Sequence, residues 1–214
     1  MDVPAGEPGR MNLSLGEFQS LIAKAFRGAG YPWGLTEEAA FAARRLAEGG
    51  LPVGAMVVRL LQSVDGSAIA DLMPDEQWRS SGPVLCAVCV GTSIADEADC
   101  EDLELGPTSE PIFIAPFLSA TLDADDGGYV IDWGEGRCYV TSGGIRVEGG
   151  LSVGPVAVMI RRQAALPSED ERFDRVEVDD VTFSALATFA HRVYAPATEA
   201  SRLAGAGAGT TDND

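Results

Sequence analysis

Pro83–Gly91, PVLCAVCVG, marks the point at which the chain changes its period. Before it, apolar residues return every three or four positions, as on one face of a helix. After it they gather into short runs bounded by glycine, as in strands. The stretch is almost wholly apolar, so it reads as a buried strand opening a sheet. In a strand, residues three apart face opposite ways, and Cys86 and Cys89 could then not share one metal. A redox pair would call for a turn running into a helix N-terminus. On this reading the cysteines are core residues, reduced in the cytoplasm.

Working back from that point, three helices are expected. Ser14 with Glu17 forms a capping box, and Leu15, Phe18, Leu21, Ile22 and Ala25 line one face until Gly28 and Gly30 stop the helix. Thr36, followed by Glu37 and Glu38, is expected to open the second helix. Phe41 and Leu46 mark its inner side, and Gly49-Gly50 end it. Pro52 starts the third, which carries Val53, Met56, Val57, Leu60, Leu61 and Val64 inward. Tyr31 and Trp33 read as plugs at the junction of the first two helices.

Working forward, strands are expected at IFIAPFLSAT (112–121), YVIDWG (129–134), RCYVTS (137–142), IRVEG (145–149) and VAVMIRR (156–162). Glycine pairs at 127–128, 143–144 and 149–150, with Gly134 and Gly136, make tight turns that impose antiparallel neighbours. Asp123, Asp125 and Asp126 belong to such a turn and are not read as cation ligands. A last helix, capped by Asp179 or Asp180 and striped by Val181, Leu186, Ala187, Ala190 and Val193, should end before Pro196. The fold class is α+β: an N-terminal three-helix region (11–65), a central, mostly antiparallel sheet (83–178), and a C-terminal helix with a Gly-rich terminus (179–214). Residues 11–214 read as a single domain, and residues 1–10 as a disordered extension.

The net charge of −18 and a pI near 4.3 exclude a nucleic-acid backbone or an anionic membrane as partner. No window reaches the roughly 18 apolar residues of a membrane span, and a cytoplasmic location is expected. Between Ser80 and Gly136 there is no lysine or arginine, while Asp96, Glu97, Asp99, Glu101, Asp102 and Glu104 crowd together. That run is either a solvated loop or a docking face for a basic partner.

The only histidine, His191, has Tyr194 three residues on, on the same helical face, where the two can exchange a proton. One histidine excludes a His-rich metal site and the H-E-x-x-H protease motif, and no G-x-S-x-G elbow or phosphate-binding glycine loop is present. No metal or cofactor is expected.

MNLSLGEFQSLIAKAFRGAGYPWGLTEEAAFAARRLA (11–47) and YAPATEASRLAGAGAGTTDND (194–214) together resemble an uncharacterised bacterial family of about this length. The resemblance implies that the closing stretch belongs to the domain. The helical start also resembles, more loosely, the N-terminal region of the malate/L-lactate dehydrogenase family. The Ser-His-Gly motif of that family does not follow here, so neither its cofactor nor its activity is carried over. Within the terminus, Gly205, Gly207 and Gly209 let the backbone turn its N–H groups toward an anion, with Ser201 and Arg202 beside them. Arg202 offers a fork for a carboxylate and Asp212 a partner for an ammonium. The expected function is binding or conversion of a small carboxylate or amino-acid-like metabolite near this segment, in a protein that forms a homo-oligomer or meets a protein partner. The alternative is a non-catalytic accessory subunit docking through its acidic face and C-terminus.

Overall fold

A computed structural model describes residues 9–97, 102–124, 126–164 and 172–193. The architecture is α+β. After strand β1 (Arg10–Ser14) come three helices, α1 (Leu15–Gly28), α2 (Trp33–Glu48) and α3 (Val53–Val64). Next are β2 (Leu85–Cys86), α4 (Ala87–Asp96), β3 (Leu103–Ser109) and α5 (Ala115–Ala120). The chain continues through β4 (Gly128–Asp132), β5 (Gly136–Val140), β6 (Ile145–Gly149) and β7 (Val156–Gln163). β8 (Arg175–Asp179) then runs directly into α6 (Asp180–His191).

The expected capping box is formed: Ser14 Oγ accepts from the Glu17 N–H at 3.2 Å, and the Glu17 carboxylate accepts from the Ser14 N–H at 2.8 Å. Asp179 caps α6, accepting from the Thr182 N–H at 2.9 Å. α2 opens earlier than expected, at Trp33 after Pro32. Thr36 therefore lies inside the helix, buried, and does not cap it. Gly28 is still helical and does more than end α1. A side chain there would collide with the Phe189 carbonyl, so glycine lets the backbones of α1 and α6 meet.

Six strands form one sheet in the order β2-β3-β7-β4-β5-β6, and β1 pairs with β8 in a second. The β4-β5-β6 meander turns at the expected glycines. β2 and β3 are parallel, whereas the other pairs are antiparallel. α5 lies on β4, β5 and β6, α4 packs on α5, and α2 packs on both. α1 is held between α2 and α6. One apolar cluster runs through these layers from Phe18 to Phe189. Among the described residues no helix is long and apolar enough to cross a membrane.

Several expectations are corrected. The strand read at PVLCAVCVG is two residues long. Cys86, in extended conformation, is the N-cap of α4, and the stretch is helical from Ala87 on. Every residue from Val84 to Gly91 is buried, and a wholly buried helix and a wholly buried strand leave the same unbroken apolar pattern. IFIAPFLSAT is a 3-10 turn (Pro111–Ile114) followed by α5. Glu110, left-handed at φ 51°, bends the chain, and prolines at the start of each turn suit helical entry but not a central strand.

β1, β3 and β8 carry weak patterns and were not expected as strands. Arg10 pairs with Asp179, so β1 begins within the stretch expected to be a disordered extension. Trp33 is 66% exposed, with the Arg27 guanidinium over its ring, while Tyr31 alone plugs the junction. Val181 is 74% exposed, and the inner side of α6 is Leu186, Phe189 and Ala190.

Candidate functional site

Of the residues read as a site from the sequence, His191 is described. It is the last residue of α6 and is exposed. The following Arg192 forks onto Asp65 at 2.6 and 3.0 Å, tying the end of α6 to the end of α3. Tyr194, Ser201, Arg202, Gly205, Gly207, Gly209 and Asp212 lie outside the described residues. Of the acidic run, Asp102 accepts from the Arg162 N–H at 3.2 Å, and Glu104 pairs with Arg79 at 3.2 Å. Part of that negative charge is therefore met within the chain.

The described residues build two sites that the sequence reading did not assemble. The first is a cleft of about 140 Å³ between the end of α2, the β5–β6 turn and the segment entering β8. Leu46, Leu51, Ile145 and Phe173 form apolar wall, and Arg45 and Arg172 bring two guanidinium groups. Each part is fixed by a local reason. Gly143-Gly144 turns the hairpin, and the Gly143 carbonyl accepts from Arg172 at 3.2 Å. The Phe173 N–H donates to the Glu48 carbonyl at 2.8 Å, locking the entry to β8 onto the end of α2. Gly50, at φ +73°, lies beneath the Phe173 ring, where both the backbone conformation and the space require glycine. Phe173 remains 45% exposed, an aromatic surface open to a guest.

The Glu48 carboxylate, itself in the lining, accepts from Arg44 at 3.0 Å and Arg45 at 2.8 Å, which orients the Arg45 guanidinium. Arg45, Arg172 and that carboxylate form a charged set able to orient a polar guest. Planar cationic forks beside an apolar wall suit a small carboxylate.

The second site is buried. Cys86 is the N-cap of α4 and Cys89 lies in its first turn, and Tyr31, from the α1–α2 loop, sets its hydroxyl 3.2 Å from the Cys86 sulfur. Burial works to raise the Cys86 thiol. The neighbouring Cys89 thiol and Tyr31 hydroxyl, with the backbone of Cys89 and Val88 at the helix start, outweigh it, bringing the thiol down from 9.0 to about 7. Cys89, bonded to Cys86 and buried, is pushed up. Tyr31 is also pushed up, by burial first.

Beside Cys86 in the β2–β3 ladder stands Ser109, whose hydroxyl meets Ser63 at 2.6 Å. Next to it the buried Glu110 takes a two-pronged hydrogen bond from Arg59, at 2.6 and 3.0 Å. Burial raises the Glu110 carboxyl, and Arg59 opposes the rise. Among the described residues no group of three or more His, Cys, Asp or Glu could hold a metal ion.

The sequence reading missed Arg45, Glu48, Arg172 and Phe173 because nothing local unites positions so far apart. Cys86-x-x-Cys89 was visible as a motif, and only its setting was misread.

Fold and sites thus define an acidic α+β protein with an arginine-lined cleft and a buried dithiol. A family model described as protein of unknown function (DUF3726) matches residues 13–86, from the end of β1 to Cys86. The chain is thus similar, over its helical N-terminal part, to an uncharacterised family, as the resemblance at that end implied. No curated protein and no solved structure matches it.

Proposed function

We propose that this protein binds a small carboxylate-bearing, amino-acid-like metabolite in the cleft between α2 and the β5–β6 turn. The observation that supports this is that Arg45 and Arg172 line one cleft together with Leu46, Leu51 and a half-exposed Phe173. A carboxylate there accepts from the guanidiniums, and an aliphatic or aromatic body lies against Leu46, Leu51 and Phe173. A cleft of about 140 Å³ suits a guest of amino-acid size. The closing segment, with Arg202 and Asp212, is the second element proposed to contribute ligands.

The test is thermal shift against a panel of amino, hydroxy and keto acids. A ligand that binds the native state raises the melting temperature in proportion to how far its concentration exceeds Kd; a hundredfold excess stabilises by about 2.7 kcal/mol. Arg172→Ala is expected to abolish the shift while leaving the unliganded melting temperature within about 0.5 kcal/mol of wild type, as for an exposed side chain. Truncation after Glu199 measures the contribution of the closing segment. If no acid shifts the melt and one basic protein co-purifies in stoichiometric amount, the accessory-subunit reading replaces this one.

A further inference from the structure

We propose that Cys86 and Cys89 form a peroxide-oxidisable dithiol, with Cys86 as the attacking sulfur and Cys89 as the resolving one. The geometry around Cys86 is that of a cradle for a sulfur anion. The Tyr31 hydroxyl stands 3.2 Å from its sulfur, and the sulfur sits at the N-cap of α4, where the first N–H groups of the helix have no partner within the helix. A neutral thiol is a weak acceptor and gains little from such surroundings, whereas a thiolate is favoured by them. The Tyr31 phenol, kept protonated by burial, remains a donor throughout.

The second thiol is in place. Cys86 at the N-cap and Cys89 in the first turn of α4 are spaced as the two ends of a capping box, and a disulfide asks for Cβ atoms about 3.5–4.5 Å apart. A slight tightening of the turn closes the bond.

Burial selects the oxidant. Cys86 and Cys89 are both fully enclosed, under a side chain carried by the four-residue loop between α1 and α2. Brief local opening of that loop admits hydrogen peroxide but excludes bulky disulfides. The Cys86 thiolate attacks one peroxide oxygen. The O–O bond breaks, an S–O bond forms, and hydroxide leaves to take up a proton as water. Cys86 is then a sulfenic acid. The Cys89 sulfur next attacks the Cys86 sulfur, the S–O bond breaks, and the hydroxyl departs with the Cys89 proton as a second water. In sum two thiols are oxidised to one disulfide, and one peroxide is reduced to two waters.

The test uses the full chain with hydrogen peroxide itself, followed by denaturation, thiol counting and peptide mass mapping. The expected result is loss of two of the four thiols, a mass lower by two hydrogen atoms, a Cys86–Cys89 link, and restoration by dithiothreitol. Cys89→Ser should stop at a sulfenic acid on Cys86, trapped by a dimedone probe after denaturation. Cys86→Ser should abolish the link. Should Cys86→Ser fail to fold, Tyr31→Phe, which keeps the plug and removes one donor, is expected to slow oxidation several-fold. An unchanged rate in Tyr31→Phe, oxidation first at Cys138, or native protein that keeps all its thiols under peroxide would overturn the proposal.

Discussion

Cys86 and Cys138 are both fully buried and take opposite chemistry from their surroundings. Cys138 lies within β5, flanked by β4 and β6. Its thiol meets the Tyr139 carbonyl at 3.8 Å, and burial pushes it up. Cys86 lies where a strand becomes a helix, at the N-cap, with the Tyr31 hydroxyl 3.2 Å from its sulfur. Burial disfavours a charge in both places. What separates them is whether oriented donors were installed before the charge appears. A strand's own N–H groups are spent in the ladder, whereas the first turn of a helix has N–H groups to spare.

The comparison can be broken most forcefully at Tyr31. Tyr31→Ala leaves a cavity beside Phe26, whose ring packs edge-on against Tyr31 at 4.9 Å. It is expected to cost about 3–5 kcal/mol in urea unfolding. It should also open Cys86 to bulky alkylating reagents while Cys138 stays protected.

A smaller effect is expected in the pH dependence of stability. Cys86 titrates lower folded than unfolded, so between about 7 and 9 the unfolded chain holds more protons, and stability rises with pH across that window. The contribution is complete above 9 and is lost as pH falls through 7. The titratable groups facing it, Cys89 and Tyr31, are raised, as is Cys138. These hold protons that the unfolded chain releases, so stability falls again at higher pH. Denaturant melts should show Cys86→Ser without the rising limb, and Cys138→Ser with a shallower falling one.

The smallest expected change sharpens the comparison. Tyr31→Phe removes one hydrogen bond and should cost about 1 kcal/mol. It should move the Cys86 thiolate absorbance transition to higher pH without altering Cys138.

Much of the fold was legible where a few neighbouring residues settle the matter. Ser14 and Glu17 satisfy each other's open backbone groups across three positions, and Asp179 does the same for Thr182. The glycine turns of the β4–β6 meander follow from backbone conformation that glycine adopts without strain. The Cys86-x-x-Cys89 spacing was equally legible, but not its meaning, because a wholly apolar stretch hides its own period. For the cleft there was no local sign at all: Arg45 and Arg172 come to line it because the Phe173 N–H donates to the Glu48 carbonyl and the Gly143 carbonyl accepts from Arg172.

By itself the amino-acid order determined the caps, the tight turns, the acidic balance and the α+β class, since each depends on interactions spanning a handful of residues or on composition. Only the tertiary structure decided that β1 joins β8 from the far end of the chain, that β2 and β3 run parallel, and that PVLCAVCVG becomes a helix facing Tyr31. Those outcomes depend on which buried surfaces find one another. Contact between distant segments is set by the packing of the whole core, for which no single stretch carries a signal.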